Sequence, residues 1–145
     1  MNSFATPESI VRTERMGPHF TKYHLTSGHV LHHFKAANDK HFHDHPWPFR
    51  TSILHGGYVE EVAHTTDGGQ LLTTTVKRLS GTSHEVKAGT IHKLTGLLDS
   101  DCWTKIEPGL KEREPGFYKA NNRGVWHRFW YERKWKLIAP ALHLL

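Results

Sequence analysis

Apolar and polar residues alternate over many short stretches of the chain, a pattern typical of strands with one buried face. Residues 20–34 contain two such stretches around the turn-forming pair Ser27-Gly28, which predicts a β-hairpin. A second hairpin is predicted by the turn at 66–69 and the β-branched segment 71–79 that follows it. Further short strands fit residues 84–86, 91–94, 102–106 and 117–118. We therefore predict an all-β sandwich, barrel or jelly roll.

One short helix is predicted at the N-terminus. Thr6 suits the N-cap position and Pro7 the first helical position. Residues 10–16 would add one to two turns before Gly17 and Pro18 end the helix.

Length and composition predict a single domain. The chain has 145 residues, of which 37% are hydrophobic, enough for one core with a wet outer surface. We expect the barrel core at about residues 18–120, with residues 121–145 packed on it. The single cysteine, Cys102, excludes an internal disulfide, and with the polar first residues it predicts a reducing, cytoplasmic setting. No stretch approaches the ~20 apolar residues of a membrane span, so no membrane partner is expected.

Histidine is unusually frequent in the chain, with 14 residues. The formal net charge at pH 7 is +5 when histidine is counted as neutral. His41, His43 and His45 occupy every second position of the segment HFHDHPWPF. Residues two apart on a strand point to the same side, so these imidazoles are candidates for a shared site. A further histidine, His92, follows Gly89 at the start of a predicted strand.

This spacing resembles the metal-binding motifs of the cupin family, whose fold is a small jelly-roll barrel. The residues that carry the resemblance are His43, His45, Gly57, Gly81, Gly89 and His92. The resemblance implies a divalent transition metal held by His43, His45 and His92. His41 lies on the same strand face but is passed over by the motif, and we expect it at the rim.

The sequence departs from the cupin motifs in ways that change the expected metal site. The metal-binding glutamate of the family would fall at Phe49 or Arg50, and neither supplies a carboxylate. The second motif has Lys87 in place of proline and Gly96 in place of asparagine. Three imidazole ligands suit iron, zinc, copper or nickel, and they leave open positions for water or substrate.

Among cupins, a three-histidine site points toward iron enzymes such as the thiol dioxygenases. Those enzymes also carry an arginine that binds the substrate carboxylate. Arg50 is the candidate for that role here. Iron is the metal expected for a catalytic site, with zinc or nickel as alternatives.

A closer resemblance covers residues 31 to 130 and points to a subgroup of small bacterial and phage cupins with an HDHPW motif. The matching segments are residues 31–34, 43–47, 56–61, 103–104, 113–117 and 124–127. The resemblance implies fold and metal site, and it implies no particular reaction.

The residues around the candidate ligands are predicted to have supporting roles. Asp44 alternates to the opposite strand face, where it would cap a turn or orient a neighbour. Glu60 and Glu61 are expected on the solvent side of their strand. Only one of His32 and His33 can face inward, where it would support the ligands or pack.

Three hypotheses for function remain open. The first is an iron dioxygenase-like enzyme acting on a small polar molecule, and the second is a non-catalytic cupin that binds metal or a small ligand. The third is nucleic-acid binding through the basic and aromatic residues 123–136, although packing of that segment over the barrel is favoured. The apolar residues 137–145 would suit contact with a second copy in a homodimer.

Overall fold

A computed structural model describes residues 8–144 of the chain. Within that range the protein consists of thirteen β-strands, numbered here in chain order, and one short 3₁₀ helix at Leu142–Leu144. The strands form two sheets, and all of the strand pairs are antiparallel.

The first sheet has six strands in the order β1-β2-β3-β10-β5-β8. Its strands are β1 (Ile10–Gly17), β2 (Phe20–Leu25), β3 (Val30–Phe34), β10 (Cys102–Pro108), β5 (Phe49–His55) and β8 (Ser83–Val86). Strand β10 lies between β3 and β5, so this sheet pairs strands that are distant in the sequence.

The second sheet has seven strands in the order β13-β12-β11-β4-β9-β6-β7. Its strands are β13 (Lys136–Pro140), β12 (Gly124–Phe129), β11 (Gly116–Asn121), β4 (Phe42–His43), β9 (Ile91–Leu97), β6 (Gly57–Thr65) and β7 (Leu71–Leu79). Strands β12 and β13 were not predicted, although they extend this sheet through residues of the basic and aromatic segment.

Both predicted hairpins are confirmed. Strands β2 and β3 pair from Phe20↔Phe34 to His24↔Val30, and β6 and β7 pair along their whole length. Gly56 and Gly57 have φ angles of 86° and 107°. These angles lie in the left-handed region that favours glycine, and they let the chain turn from β5 directly into β6.

The predicted N-terminal helix is wrong over residues 10–16, which belong to strand β1. The start of that helix, Thr6 and Pro7, lies outside the described residues. Strand β1 pairs with β2 from Ile10↔Leu25 to Gly17↔Phe20. A helix of one or two turns is unstable by itself, whereas the pairing with β2 satisfies the backbone of this β-branched segment.

The hydrophobic core lies where the inner faces of the two sheets meet. Its buried members are Ala37, Ile53, Tyr58, Leu94 and Cys102, with Phe34 and Leu97 packed against them. Full burial of each large apolar side chain stabilises the fold by ~1.5–3 kcal/mol. This core brings β5 and β10 of the first sheet against β6 and β9 of the second, and β9 carries one of the candidate ligands.

Among residues 8–144, no helix has the length and apolar character needed to cross a membrane.

Candidate metal centre

Three histidines converge on the inner side of the second sheet. His43 ends β4, His45 follows two residues later, and His92 lies on β9. Their candidate ligand nitrogens all lie within 4.8 Å of one another. The three ring centroids are separated by 4.7 to 5.1 Å. The structure therefore brings together the set of ligands that the sequence predicted.

Backbone pairing places these side chains. His43 is directly opposite His92 in the ladder between β4 and β9, and paired residues of neighbouring strands share a face. After β4 the chain leaves regular pairing, but the backbone N–H of His45 still donates to the carbonyl of Ala88 at 3.0 Å. The His45 ring is thereby held beside the other two.

Burial keeps at least two of the three imidazoles neutral. Desolvation, followed by the neighbouring His92 and His43, lowers the pKa of His45 to about 2. Desolvation is also the largest cause of the lowered pKa of His43, followed by the effect of His92. A neutral imidazole has a free lone pair on one nitrogen. These two imidazoles can therefore bind a cation at neutral pH without first losing a proton.

The nitrogen positions fit a single metal ion. The Nε2 atoms of His45 and His92 are 3.2 Å apart, a separation suited to two ligands with metal–nitrogen bonds of about 2.0–2.1 Å. Two ligands on one such ion can be at most about 4.2 Å apart, so any pair of nitrogens wider than that would have to draw closer when the metal binds. The Nδ1 atom of His45 is buried and has no hydrogen-bond partner within residues 8–144.

A buried carboxylate fixes the orientation of His92. The Nδ1–H group of His92 donates to Oε2 of Glu60 at 3.1 Å. On the other side of Glu60, Arg78 donates to Oε1 from Nε at 3.2 Å and from Nη2 at 2.9 Å. With Nδ1 of His92 directed at Glu60, Nε2 is the ring nitrogen that faces His45.

The expectation that Glu60 lies on the solvent side is wrong, since only 1% of the residue is exposed. Desolvation raises the pKa of Glu60, but the hydrogen bond from His92 and the contact with Arg78 outweigh it, and the net pKa is lowered. Glu60 is therefore an ionised acceptor. Arg78, its partner from β7, was not identified from the sequence.

An aromatic ring packs against the histidines from strand β5. The ring of Phe49 packs edge-on against His45, with their centroids 4.8 Å apart. Glu60 reaches the centre from a different strand and contacts Nδ1 of His92. It therefore supports a ligand through a hydrogen bond and is not itself among the three converging ligands.

Asp44 anchors the loop between the first two ligands. Its side chain is buried and accepts hydrogen bonds from the backbone N–H of Gly116 at 2.7 Å and from the Tyr118 hydroxyl at 2.7 Å. Nη2 of Arg113 lies 2.9 Å from Oδ2 of the same carboxylate. Burial and the hydrogen bond to Asp44 raise the pKa of Tyr118 to about 12. These contacts agree with the expected orienting role of Asp44.

His41 and Arg50 lie away from the three converging nitrogens. The ring of His41 packs against Trp135 at 5.1 Å, outside the group of three. Arg50 alternates with buried Thr51 on β5 and is exposed. Its guanidinium lies 3.9 Å from Glu85 and 3.8 Å from Glu107, in an open cleft of about 380 Å³. The role of Arg50 in binding a substrate anion stays a prediction.

No protein-family model matches the sequence, and no curated protein is significantly similar to it. Solved structures of similar fold do exist. The chain is similar to the hydroxypropylphosphonic acid epoxidase from S. wedmorenis, with a TM-score of 0.50 and 10% identity. That match covers 66% of this chain and 54% of the epoxidase, so the chain spans about half the length of that protein.

Two further structures resemble the chain in fold. For the Drosophila melanogaster CENP-C cupin domain the TM-score is 0.49 at 10% identity, covering 72% of this chain and 85% of that domain. For the polyketide cyclase RemF from Streptomyces resistomycificus the TM-score is 0.46 at 15% identity, covering 92% and 86%. The predicted all-β jelly-roll architecture is confirmed. At these identities the comparisons show the fold and leave function to the site itself.

Proposed function

We propose that this chain is a metal-binding cupin that holds one divalent transition metal on His43, His45 and His92. We further propose that it acts as a metal-dependent enzyme on a small polar molecule. The observation that carries the proposal is the convergence of these imidazoles, one of them oriented by the buried Glu60 carboxylate. A histidine that only packs at the surface does not need a buried carboxylate as its hydrogen-bond partner.

The donor set limits the metal and the chemistry. Imidazole nitrogens suit iron, zinc and nickel, and three protein ligands leave positions for water or substrate. Iron bound there would supply dioxygenase-like oxidation, which is our first choice of activity. Around the ligands, Phe49 excludes water from one side of His45. Arg50 remains a candidate contact for an anionic group of the substrate.

The resemblance to the small HDHPW cupins belongs to the same proposal. Asp44, the aspartate of that motif, has a physical reason to be there. Its buried carboxylate ties the loop between His43 and His45 to β11 through Gly116 and Tyr118. A cytoplasmic setting and a homodimer are proposed with it.

A non-catalytic metal-binding or ligand-binding cupin is the second candidate. The observation that favours it is Phe49, which packs on His45 near the sequence position where the family carries a metal-binding carboxylate. Turnover of any substrate by the metal-loaded protein would count against this alternative.

Nucleic-acid binding is disfavoured by how the basic and aromatic segment packs. The Nζ atom of Lys119 lies 4.4 Å from the centre of the Trp135 ring. The guanidinium of Arg128 lies 4.7 Å from the Phe117 ring and 5.2 Å from the Trp135 ring. These cations and aromatic faces already contact each other, which leaves them less available to stack on bases.

Elemental analysis of untagged protein tests the proposal, with iron, zinc, nickel, copper and manganese all counted. We expect about one metal per chain in the wild type and a large loss in the His43→Ala and His92→Ala variants. An exposed histidine on the same sheet, His64, gives the matched control His64→Ala. One metal per chain in all four proteins would place the metal elsewhere and refute the site.

A further inference from the structure

The inner face of the first sheet carries a row of polar side chains opposite the histidine cluster. Lys22 on β2 is paired with His32 on β3, and His32 is paired with Thr104 on β10. Further along the sheet, Thr51 on β5 is paired with His84 on β8. Directly paired residues in an antiparallel sheet project from the same face.

Burial shows that this face points inward. Thr104 is 1% exposed and Thr51 is 2% exposed. Cys102 and Ile106, which lie two residues to either side of Thr104 on β10, are also buried. Inward positions on a jelly roll are normally apolar. A polar row at this depth therefore needs a reason other than solubility.

Several atoms in this row have unused hydrogen-bonding capacity. Within residues 8–144, Oγ1 of Thr104 and both ring nitrogens of His84 are buried and have no hydrogen-bond partner. A buried polar group that remains unsatisfied destabilises the fold. Natural proteins keep such groups where water or a ligand satisfies them.

The row and the histidine cluster belong to one interior. The pKa of His84 is lowered mainly by burial and then by the charge of Arg78. The charges of Glu60 and His92 also affect this pKa. Phe49, which lies two residues from Thr51 on the same face of β5, packs against His45 of the cluster with ring centroids 4.8 Å apart. The polar row of one sheet thus lies across from the ligands on the other.

Lys22 gives this interior a positive charge that forms no close ion pair with a carboxylate of residues 8–144. Within residues 8–144 no carboxylate oxygen lies within 4.0 Å of its Nζ atom. The facing Glu14 on β1 is instead engaged by His24 at 2.9 Å and by Arg12 at 3.7 Å. Burial is the largest cause of the lowered pKa of Lys22, and Glu14 opposes it. An anionic ligand would compensate for that burial.

We propose that Lys22, Thr104 and His84 form the second half of the binding site, and that its ligand is a small organic acid with two polar ends. One end binds at the metal centre, while an oxyanion group at the other end is bound by the Lys22 ammonium. Thr104 forms a hydrogen bond to the part between, and His84 forms one to the end held at the metal centre. This inference rests on the metal centre proposed above and names the class of substrate.

The charge balance supports an anion with more than one negative group. Glu60 and Arg78 neutralise each other. A divalent metal and Lys22 would therefore leave the interior with several uncompensated positive charges. A small dicarboxylate, or an acid with a second metal-binding group, matches this arrangement.

Cobalt-loaded protein and three dicarboxylates of increasing length test the inference. Cobalt binding is measured first by visible absorption and stoichiometry, and then oxalate, malonate and succinate are titrated by calorimetry. We expect at least one of them to bind the wild type. Lys22→Met should raise its Kd roughly 10- to 100-fold, and Thr104→Val should raise it by a smaller factor.

The matched control is Lys105→Met, because Lys105 follows Thr104 on β10 and points to the opposite face. It should leave the Kd unchanged, and Lys22→Gln replaces Lys22→Met if the latter does not fold. Wild-type binding that survives loss of Lys22, or that is lost in Arg50→Met instead, would overturn the inference. So would a cobalt-loaded wild type that binds none of the three acids. Cobalt that fails to bind at all would overturn the metal centre, and this inference with it.

Discussion

Glu60 accepts a hydrogen bond from Nδ1 of His92 at 3.1 Å while its other oxygen is bound by Arg78. The imidazole is thereby fixed in the tautomer whose Nε2 atom faces the other histidines. The guanidinium also makes it possible to bury an ionised carboxylate at this depth, since an unpaired one would be strongly disfavoured.

We expect Glu60→Gln to weaken metal binding by about 10- to 100-fold, the usual effect of losing a carboxylate that supports a metal-bound histidine. The three ligands themselves are unchanged, so the stoichiometry at saturating metal should stay the same. Competition with a chromophoric chelator measures the affinity.

The control for this prediction is Glu61→Gln, because Glu61 is the next residue on β6 and is less buried. Its metal affinity should equal that of the wild type. Equal affinities for all three proteins would mean that Glu60 serves only the packing of Arg78.

The three candidate ligands were accessible from sequence because their spacing is local. His43 and His45 are two residues apart, and His92 follows Gly89 in a motif that resembles a known family. The partner strands that bring His92 opposite His43 are distant in sequence. Only the resemblance to the cupins implied that these strands meet, because local alternation of residues does not identify a partner strand.

Glu60 and Arg78 were missed for a physical reason. Two consecutive glutamates on a strand point to opposite faces, and alternation alone does not say which one is buried. The usual cost of burying a charge favours the solvent side for both. That cost is offset by Arg78, which lies 18 positions away on the neighbouring strand. Only the pairing of β6 with β7 brings the two side chains together.

The N-terminal strand was missed because its pairing with β2 outweighs the local preference for a helix start. Thr6 and Pro7 carry helix-start features, but the residues after them pair with β2. Sequence patterns near a chain end give little information about a partner strand. The hairpins around Ser27-Gly28 and at residues 66–69 were predictable because their turns lie within the sequence pattern itself.

Metal should stabilise the folded chain. A ligand that binds only the folded state adds about 2.7 kcal/mol to the free energy of unfolding at 100 times its Kd. We therefore expect the Tm of metal-free wild type to rise on addition of cobalt or iron under anaerobic conditions. The His92→Ala variant should show little or no rise, as measured by differential scanning fluorimetry. A rise of the same size in His92→Ala would point to binding outside the cluster.

Asp44 should be among the most sensitive positions for stability. Its fully buried side chain contacts three groups, Gly116 N–H, the Tyr118 hydroxyl and the Arg113 guanidinium. Removing the carboxylate leaves the Gly116 N–H and the Tyr118 hydroxyl without their acceptor, at about 1–3 kcal/mol each, so Asp44→Ala should lower the free energy of unfolding by about 2–6 kcal/mol. Tyr118→Phe removes a single hydrogen bond and should cost about 1 kcal/mol.

Urea denaturation of the metal-free protein measures both Asp44 and Tyr118 variants. Asp67, which is exposed in the turn between β6 and β7, provides the control Asp67→Ala. A similar small loss in Asp44→Ala and Asp67→Ala would show that the buried network contributes little. The metal affinity of Asp44→Ala should also fall if its loop holds His43 and His45 in place.

His32 should make the fold sensitive to acid. Desolvation, followed by the charges of Lys22 and His24, lowers its pKa from 6.5 to about 3. Between those values the unfolded chain binds more protons than the folded chain, so the free energy of unfolding falls as pH decreases. At pH 5 the loss from this one group is at most about 2 kcal/mol. In His32→Gln the decrease between pH 7.5 and pH 5 should be smaller, as measured by urea denaturation of metal-free protein at both values.

His45 also has a lowered pKa, so some acid sensitivity should remain. The exposed His64 gives the control His64→Gln, which should keep the full wild-type decrease, and an equally large decrease in His32→Gln would exclude His32 as its source.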